Sequence, residues 1–185
     1  DVTLVDMTDI DAVRAAATPK TRLIWGETIG NPRLSIPDLR RLSTVAKEFD
    51  VLFAVDNTFG TPSLIRPLEH GVDIVMHSAT KYLGGHSDCL GGPLAVAEQE
   101  LYDRLYFVQN ATGAVLDPMT SFLISRGVKT LDLRVREQSR TALALAKWLQ
   151  QHPRVQSVLY PGLPEHPQHA LATELLSGGY GAMLT

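Results

Sequence analysis

Apolar residues in this chain follow two alternating patterns, short unbroken runs and longer stretches in which they recur every three or four positions. Val51-Leu52-Phe53-Ala54-Val55 is the clearest run and reads as a buried strand, with Val72, Ile74, Val75 and Met76 marking the next. Arg22-Leu23-Ile24-Trp25, closed by Gly26, reads as a strand covered on both faces by helices. Between these runs, Leu39, Leu42, Val45, Ala46 and Phe49 share one face of a helix whose first turn holds Pro37. Thr8-Asp9-Ile10-Asp11 has the Thr-x-x-acid form of a helix start, placing Ile10, Val13 and Ala17 on one buried face. Asp1-Val2-Thr3-Leu4-Val5, just before it, reads as a first strand. Strands alternating with helices predict right-handed crossovers and an α/β fold, a mainly parallel sheet flanked by helices.

Beyond Lys81 the pattern changes. Gly84, Gly85, Gly91 and Gly92 bracket a loop, and Pro93-Leu94-Ala95-Val96-Ala97 reads as a neighbouring strand of either direction. A helix is predicted from about Glu98 to Gln109, and another opens at Asp117-Pro118 and breaks near Arg126-Gly127. A long helix from Thr130 to Gln151 carries Leu131, Val135, Leu143, Ala146 and Leu149 on related faces and ends at His152-Pro153. Val155, Val158 and Tyr160 alternate as a strand before a Pro161-Gly162 turn. The expected division is a large domain over 1–150, with 151–185 leading toward a second lobe.

Composition narrows the class without naming it. The 185 residues carry a net charge of −3, with 44% hydrophobic and 20% charged residues, as ordinary globular proteins do. No apolar run approaches the roughly 20 residues that cross a bilayer, and the first residues lack the features of a signal peptide, so a cytoplasmic location is expected. Slight acidity argues against nucleic acid as a partner. Cys89 is the sole cysteine, which removes an intrachain disulfide and the zinc-binding cysteine patterns. Both ends fall within apolar runs, and a fragment of a longer protein is expected.

In an open parallel sheet, ligands bind beyond the C-terminal strand ends. Three such ends carry polar side chains here: Glu27, Thr28 and Asn31; Asp56 to Thr58; and Ser78 to Lys81. A lysine amine forms a Schiff base with pyridoxal phosphate, and a carboxylate facing the ring nitrogen keeps it protonated. Asp56 and Lys81 suit those roles. The hydroxyls of Ser78 and Thr80 suit a phosphate, and Asn31 suits the ring's phenolic oxygen.

These residues stand in longer runs: Val55-Asp56-Asn57-Thr58-Phe59, Asp73-Ile74-Val75-Met76-His77-Ser78-Ala79-Thr80-Lys81-Tyr82 and Gly84-Gly85-His86-Ser87-Asp88. With Glu27-Thr28-Ile29-Gly30-Asn31-Pro32, Arg126-Gly127-Val128-Lys129-Thr130-Leu131 and Tyr160-Pro161-Gly162-Leu163, they resemble the pyridoxal-phosphate enzymes of cysteine and methionine metabolism. That family includes cystathionine γ-synthase, cystathionine γ- and β-lyases, methionine γ-lyase and homoserine-ester sulfhydrylases. The resemblance implies the large domain of a fold-type-I PLP-transferase, with the cofactor on Lys81, Asp56 at the pyridine nitrogen, Ser78 and Thr80 at the phosphate and Asn31 at the ring oxygen. It implies an amino-acid substrate, and a homotetramer whose active sites are shared between subunits.

The resemblance also implies parts with no counterpart here: a glycine-rich phosphate loop, a ring-stacking tyrosine and a C-terminal domain whose arginine holds the substrate carboxylate. Elimination at the γ-carbon is the expected reaction, γ-replacement the alternative, and a non-catalytic fragment unable to hold the cofactor the alternative of another class. Asn31-Pro32 reads equally as a simple turn, and Glu27 as a brace for its loop. Thr58 is assigned to the cofactor side rather than to a strand cap, while His86 and Asp88 are expected to shape their loop. His166 and His169 lack a third ligand, so no metal site is expected.

Overall fold

The computed structural model describes residues 1–185. Its centre is a four-stranded sheet in sequential order, β1 (Leu23–Glu27), β2 (Leu52–Asp56), β3 (Ile74–Met76) and β4 (Leu94–Val96). β1, β2 and β3 are parallel, with Glu27 paired to Asp56 and Asp56 to Met76, so three strands reach the same edge together. β4 runs antiparallel to β3, which settles its direction.

α1 (Ile10–Ala16) and α2 (Leu39–Glu48) pack on each other and α2 packs on β2. Asp9 caps α1 by accepting from the Asp11 and Ala12 amides, so the start lies one residue beyond Thr8, whose hydroxyl turns back to Asp6. Asp38 caps α2 in the same way, and Pro37 therefore precedes the helix rather than lying in its first turn. The predicted apolar face of α2 is buried, Leu39, Leu42, Val45 and Ala46 all lying at 2% exposure or less. α3 (Thr61–Leu64) follows β2, and a π-type turn over Ala79–Leu83 follows β3. α4 (Gln99–Thr112), α5 (Pro118–Val128), α6 (Leu131–Gln150) and α7 (His169–Leu175) complete the chain. No helix is long and apolar enough to cross a membrane.

Three expectations fail for one reason: local pattern does not supply a partner. Asp1–Val5 forms no strand, because no neighbouring backbone pairs with it and Val2 and Leu4 stay exposed. β1 is not covered on both faces; it is the edge strand, and Leu23 and Trp25 are 45% and 49% exposed. Val155–Tyr160 is not a strand either, although Leu159 and Thr185 exchange a pair of backbone hydrogen bonds. One cluster of 23 buried apolar residues joins the α1–α2 layer to the sheet and also takes in Leu131 and Val135 of α6 and Ala172 and Leu175 of α7. A satellite cluster seats Tyr160 and Leu163 on Ala142 and Ala146 of α6.

Candidate active site

The parallel strand ends converge through a run of hydrogen bonds. The Asp56 carboxylate accepts from the Thr58 amide at 2.8 Å, and the Thr58 hydroxyl accepts from the Ser78 amide at 2.7 Å. The Ser78 carbonyl then accepts from the Lys81 amide at 3.2 Å. Asn57, wholly buried, fixes the exit of β2: its amide group donates to the Ile65 carbonyl and its side-chain oxygen accepts from Thr28 at 2.7 Å. Asp56 and Lys81 are thereby tied into one framework.

Lys81 departs from helical backbone inside its turn (φ −96°, ψ −110°), and its amine reaches solvent 5.3 Å from the centre of the Phe59 ring. None of the six ion pairs of the chain includes it. The amine faces a cleft of about 1120 Å³ whose walls include Asn31, Phe59, Thr80, Tyr82, Asp88 and Gln138. Asp56, Thr58 and Ser78 lie outside that lining, at the strand ends. The predicted residues thus form two groups, Asn31, Thr80 and Lys81 in the cleft wall and the other three at the sheet edge.

Each remaining expectation has a definite place. Glu27 accepts from the Asn31 amide at 2.9 Å, which braces the loop, and leaves the Asn31 side chain without a partner in the chain. Thr80 accepts from the Gly91 amide at 3.3 Å and keeps its hydroxyl proton free. His86 contacts the Gly84 carbonyl at 2.7 Å through Nδ1, a loop-shaping contact, whereas Asp88 lines the cleft. Cys89 is buried.

Burial holds the His77 imidazole below its ordinary pKa, partly opposed by the Asp56 carboxylate, so His77 is neutral beside Asp56 at neutral pH. Burial likewise pushes the Tyr82 phenol up, with a hydrogen bond to the Ala182 backbone working against it.

Arg134 and Phe59 carry no expectation from the sequence yet stand in the cleft wall beside Lys81. The available signal for Arg134 was an arginine between Leu131 and Val135, two residues assigned to the buried side of a helix.

The groups left open by the fold are an amine, one carboxylate oxygen of Asp56, the Ser78 hydroxyl and the side-chain amide of Asn31. Such a set fits pyridoxal phosphate: an aldehyde for the amine, a protonated ring nitrogen for the carboxylate, and phosphate and phenolic oxygens for the neutral donors.

Comparison with known proteins agrees with that fit. The chain is 50% identical over 181 residues to a probable cystathionine gamma-synthase of Herpetosiphon aurantiacus, covering 98% of this chain and 56% of the relative. It is 48% identical over 182 residues to a cystathionine beta-lyase of Coxiella burnetii, covering 98% and 47%. A crystal structure of cystathionine gamma-lyase from Lactobacillus plantarum complexed with L-serine superposes with a TM-score of 0.96 at 42% identity, over 98% of this chain and 48% of that one. The chain thus spans about half the length of the relatives it matches, and it has their fold-type-I architecture. Residues 1–185 match the family of Cys/Met metabolism PLP-dependent enzymes from end to end, and the chain belongs to that family, whose cofactor is pyridoxal phosphate.

Proposed function

We propose that this chain is the lysine-bearing part of an enzyme that breaks the bond from the γ-carbon to sulfur or oxygen in a sulfur-containing or homoserine-derived amino acid. The observation that carries the reading is an unpaired Lys81 amine in the wall of a large cleft, on a residue whose backbone N–H is linked through Ser78 and Thr58 to the Asp56 carboxylate. When bound, pyridoxal phosphate joins covalently to a lysine and supplies a ring that takes up negative charge from the substrate α-carbon. Lys81 would hold it, with Asp56 at the ring nitrogen, Ser78 and Thr80 at the phosphate and Asn31 at the ring oxygen. Thr58 keeps the Asp56 and Ser78 segments together, and its hydroxyl is assigned to the cofactor side as well.

Once released, the Lys81 amine takes the α-proton and serves as the local proton carrier while a second proton leaves the β-carbon and the γ-substituent departs. No carboxylate of the chain pairs with that amine. Elimination is the preferred outcome. The relative named as a probable cystathionine gamma-synthase, 50% identical, favours a second reading in which a thiol captures the same intermediate state and replaces the substituent.

We read 1–150 as the central part of the cofactor-binding large domain and 151–185 as the connection toward a smaller one. The whole enzyme is read as a cytoplasmic homotetramer; exposed Tyr106, Phe107 and Phe122 support burial against another surface.

The test is a product assay on the full-length protein with cystathionine, methionine and acylated homoserine. Ketobutyrate without added thiol supports elimination, and thioether formation supports replacement. Absence of a borohydride-sensitive visible band that depends on Lys81 refutes the cofactor role and leaves the non-catalytic reading.

A further inference from the structure

Arg134 places its charged head on neutral groups only. Its Nη1 donates to the Tyr82 carbonyl at 2.9 Å, its Nη2 to the Gly127 carbonyl at 2.8 Å and its Nε to the Thr130 hydroxyl at 3.1 Å. None of the chain's six ion pairs includes it. Tyr82 follows Lys81 directly, and the Lys81 carbonyl accepts from the Gly85 amide at 2.8 Å, closing a loop of backbone around the lysine. Gly85 has a positive φ of 76°, and a Cβ there would stand 2.4 Å from Arg134 Nη1. On the other side, a Cβ at Gly127 would stand 2.1 Å from the Gly84 carbonyl. The guanidinium therefore fills the junction of three pieces: the lysine loop, the last turn of α5 and the first turn of α6.

We propose that Arg134 is a positioning residue for Lys81, fastening the lysine loop to the α5–α6 junction so that the amine is presented to the cleft. The proposal rests on the reading of Lys81 as the cofactor-bearing lysine. The planar fork explains the residue type: three acceptors in three directions need donors spread in a plane, and a lysine ammonium at the end of its stem cannot meet them together. Fixing the peptide that follows Lys81 removes backbone freedom from the residue whose side chain must repeatedly join and leave the same atom.

The experiment uses the full-length protein stripped of pyridoxal phosphate, as wild type, Arg134→Lys and Arg134→Gln, with Thr130→Ala as a milder variant that removes only the Nε acceptor. Hydrogen exchange at the Gly85 amide reads the loop without cofactor. Mass spectrometry after borohydride reads capture, in which Lys81 Nζ bonds to the cofactor aldehyde carbon with loss of water and the product is then reduced. Arg134→Lys and Arg134→Gln are expected to raise Gly85 exchange beyond what their global stability accounts for, and to slow Lys81 capture about tenfold or more. Thr130→Ala is expected to show a smaller effect of the same sign.

A variant that melts earlier but keeps both Gly85 protection and the capture rate overturns the proposal. If Arg134→Gln fails to fold, Arg134→Lys decides. If wild type gives no Lys81 adduct, the functional reading fails, while Gly85 exchange still tells whether Arg134 holds the loop.

Discussion

Replacing Thr58 with valine keeps the shape and the branched Cβ of the side chain but removes the oxygen that receives the Ser78 amide at 2.7 Å. Thr58 is 5% exposed, so little water can reach the orphaned N–H from that side. A buried donor left without a partner costs about 1–3 kcal/mol, and for a domain of this size each kcal/mol moves the melting temperature by about 2–4 °C. Thr58→Ser is the control: it keeps the oxygen and loses one buried methyl, worth about 0.8 kcal/mol. Urea denaturation gives the free energies, and hydrogen exchange at the Ser78 amide tells the two causes apart. Thr58→Val is expected to lose Ser78 protection and Thr58→Ser to keep it. Wild-type stability and full Ser78 protection in Thr58→Val would show that the Asp56 and Ser78 strand ends are not held together through this hydroxyl.

Gly127→Ala sits in a helix, where alanine ordinarily gains about 1 kcal/mol, but its methyl would stand 2.1 Å from the Gly84 carbonyl and 2.7 Å from that of Leu83. A net loss of about 1–3 kcal/mol is expected in urea titration, and a gain contradicts the close seat of α5 on the lysine loop. Tyr160→Phe removes a wholly buried hydroxyl that donates to the Ser139 and Gly181 carbonyls, and is expected to cost about 1–3 kcal/mol. Burial raises the folded Tyr160 pKa, so the unfolded chain ionises first and stability falls as pH rises above about 10; Tyr160→Phe should flatten that slope in melts across alkaline pH. His77, His70 and His166 are each held below their ordinary 6.5 by burial, so the unfolded chain takes up protons first and stability falls as pH drops below about 6.5. His77→Asn should remove part of that acid loss, which melting at pH 7 and pH 5 measures.

The α2 face and the inner strand β2 were legible because each carries its own repeat, period 3.6 for Leu39 to Ala46 and an unbroken run for Val51 to Val55. The failed strand at Asp1–Val5 has equally good alternation; what it lacks is a second backbone, and no local pattern reveals that. β4 was readable as a strand but not as antiparallel, since its direction follows from contacts such as Ala79 N–H to the Gly91 carbonyl across the glycine loop. Asp56, Ser78 and Lys81 were legible because strand ends in a parallel sheet share an edge. Arg134 was not, because two of its three acceptors are backbone carbonyls, one of them 52 positions away, and a carbonyl looks the same in every residue.

The run from Asp56 to Lys81 has one further consequence. Of its three bonds, the donors are all main-chain N–H groups, and only Asp56 and Thr58 contribute side chains. The Ser78 hydroxyl and the Lys81 amine take no part in building the place where they stand. Under the proposed roles, assembly and reactivity fall to different atoms of the same short segment, so those two side chains can be exchanged while the scaffold persists. A Lys81→Ala chain should be a faithful empty mould of the site, suited to capturing ligands without turning them over.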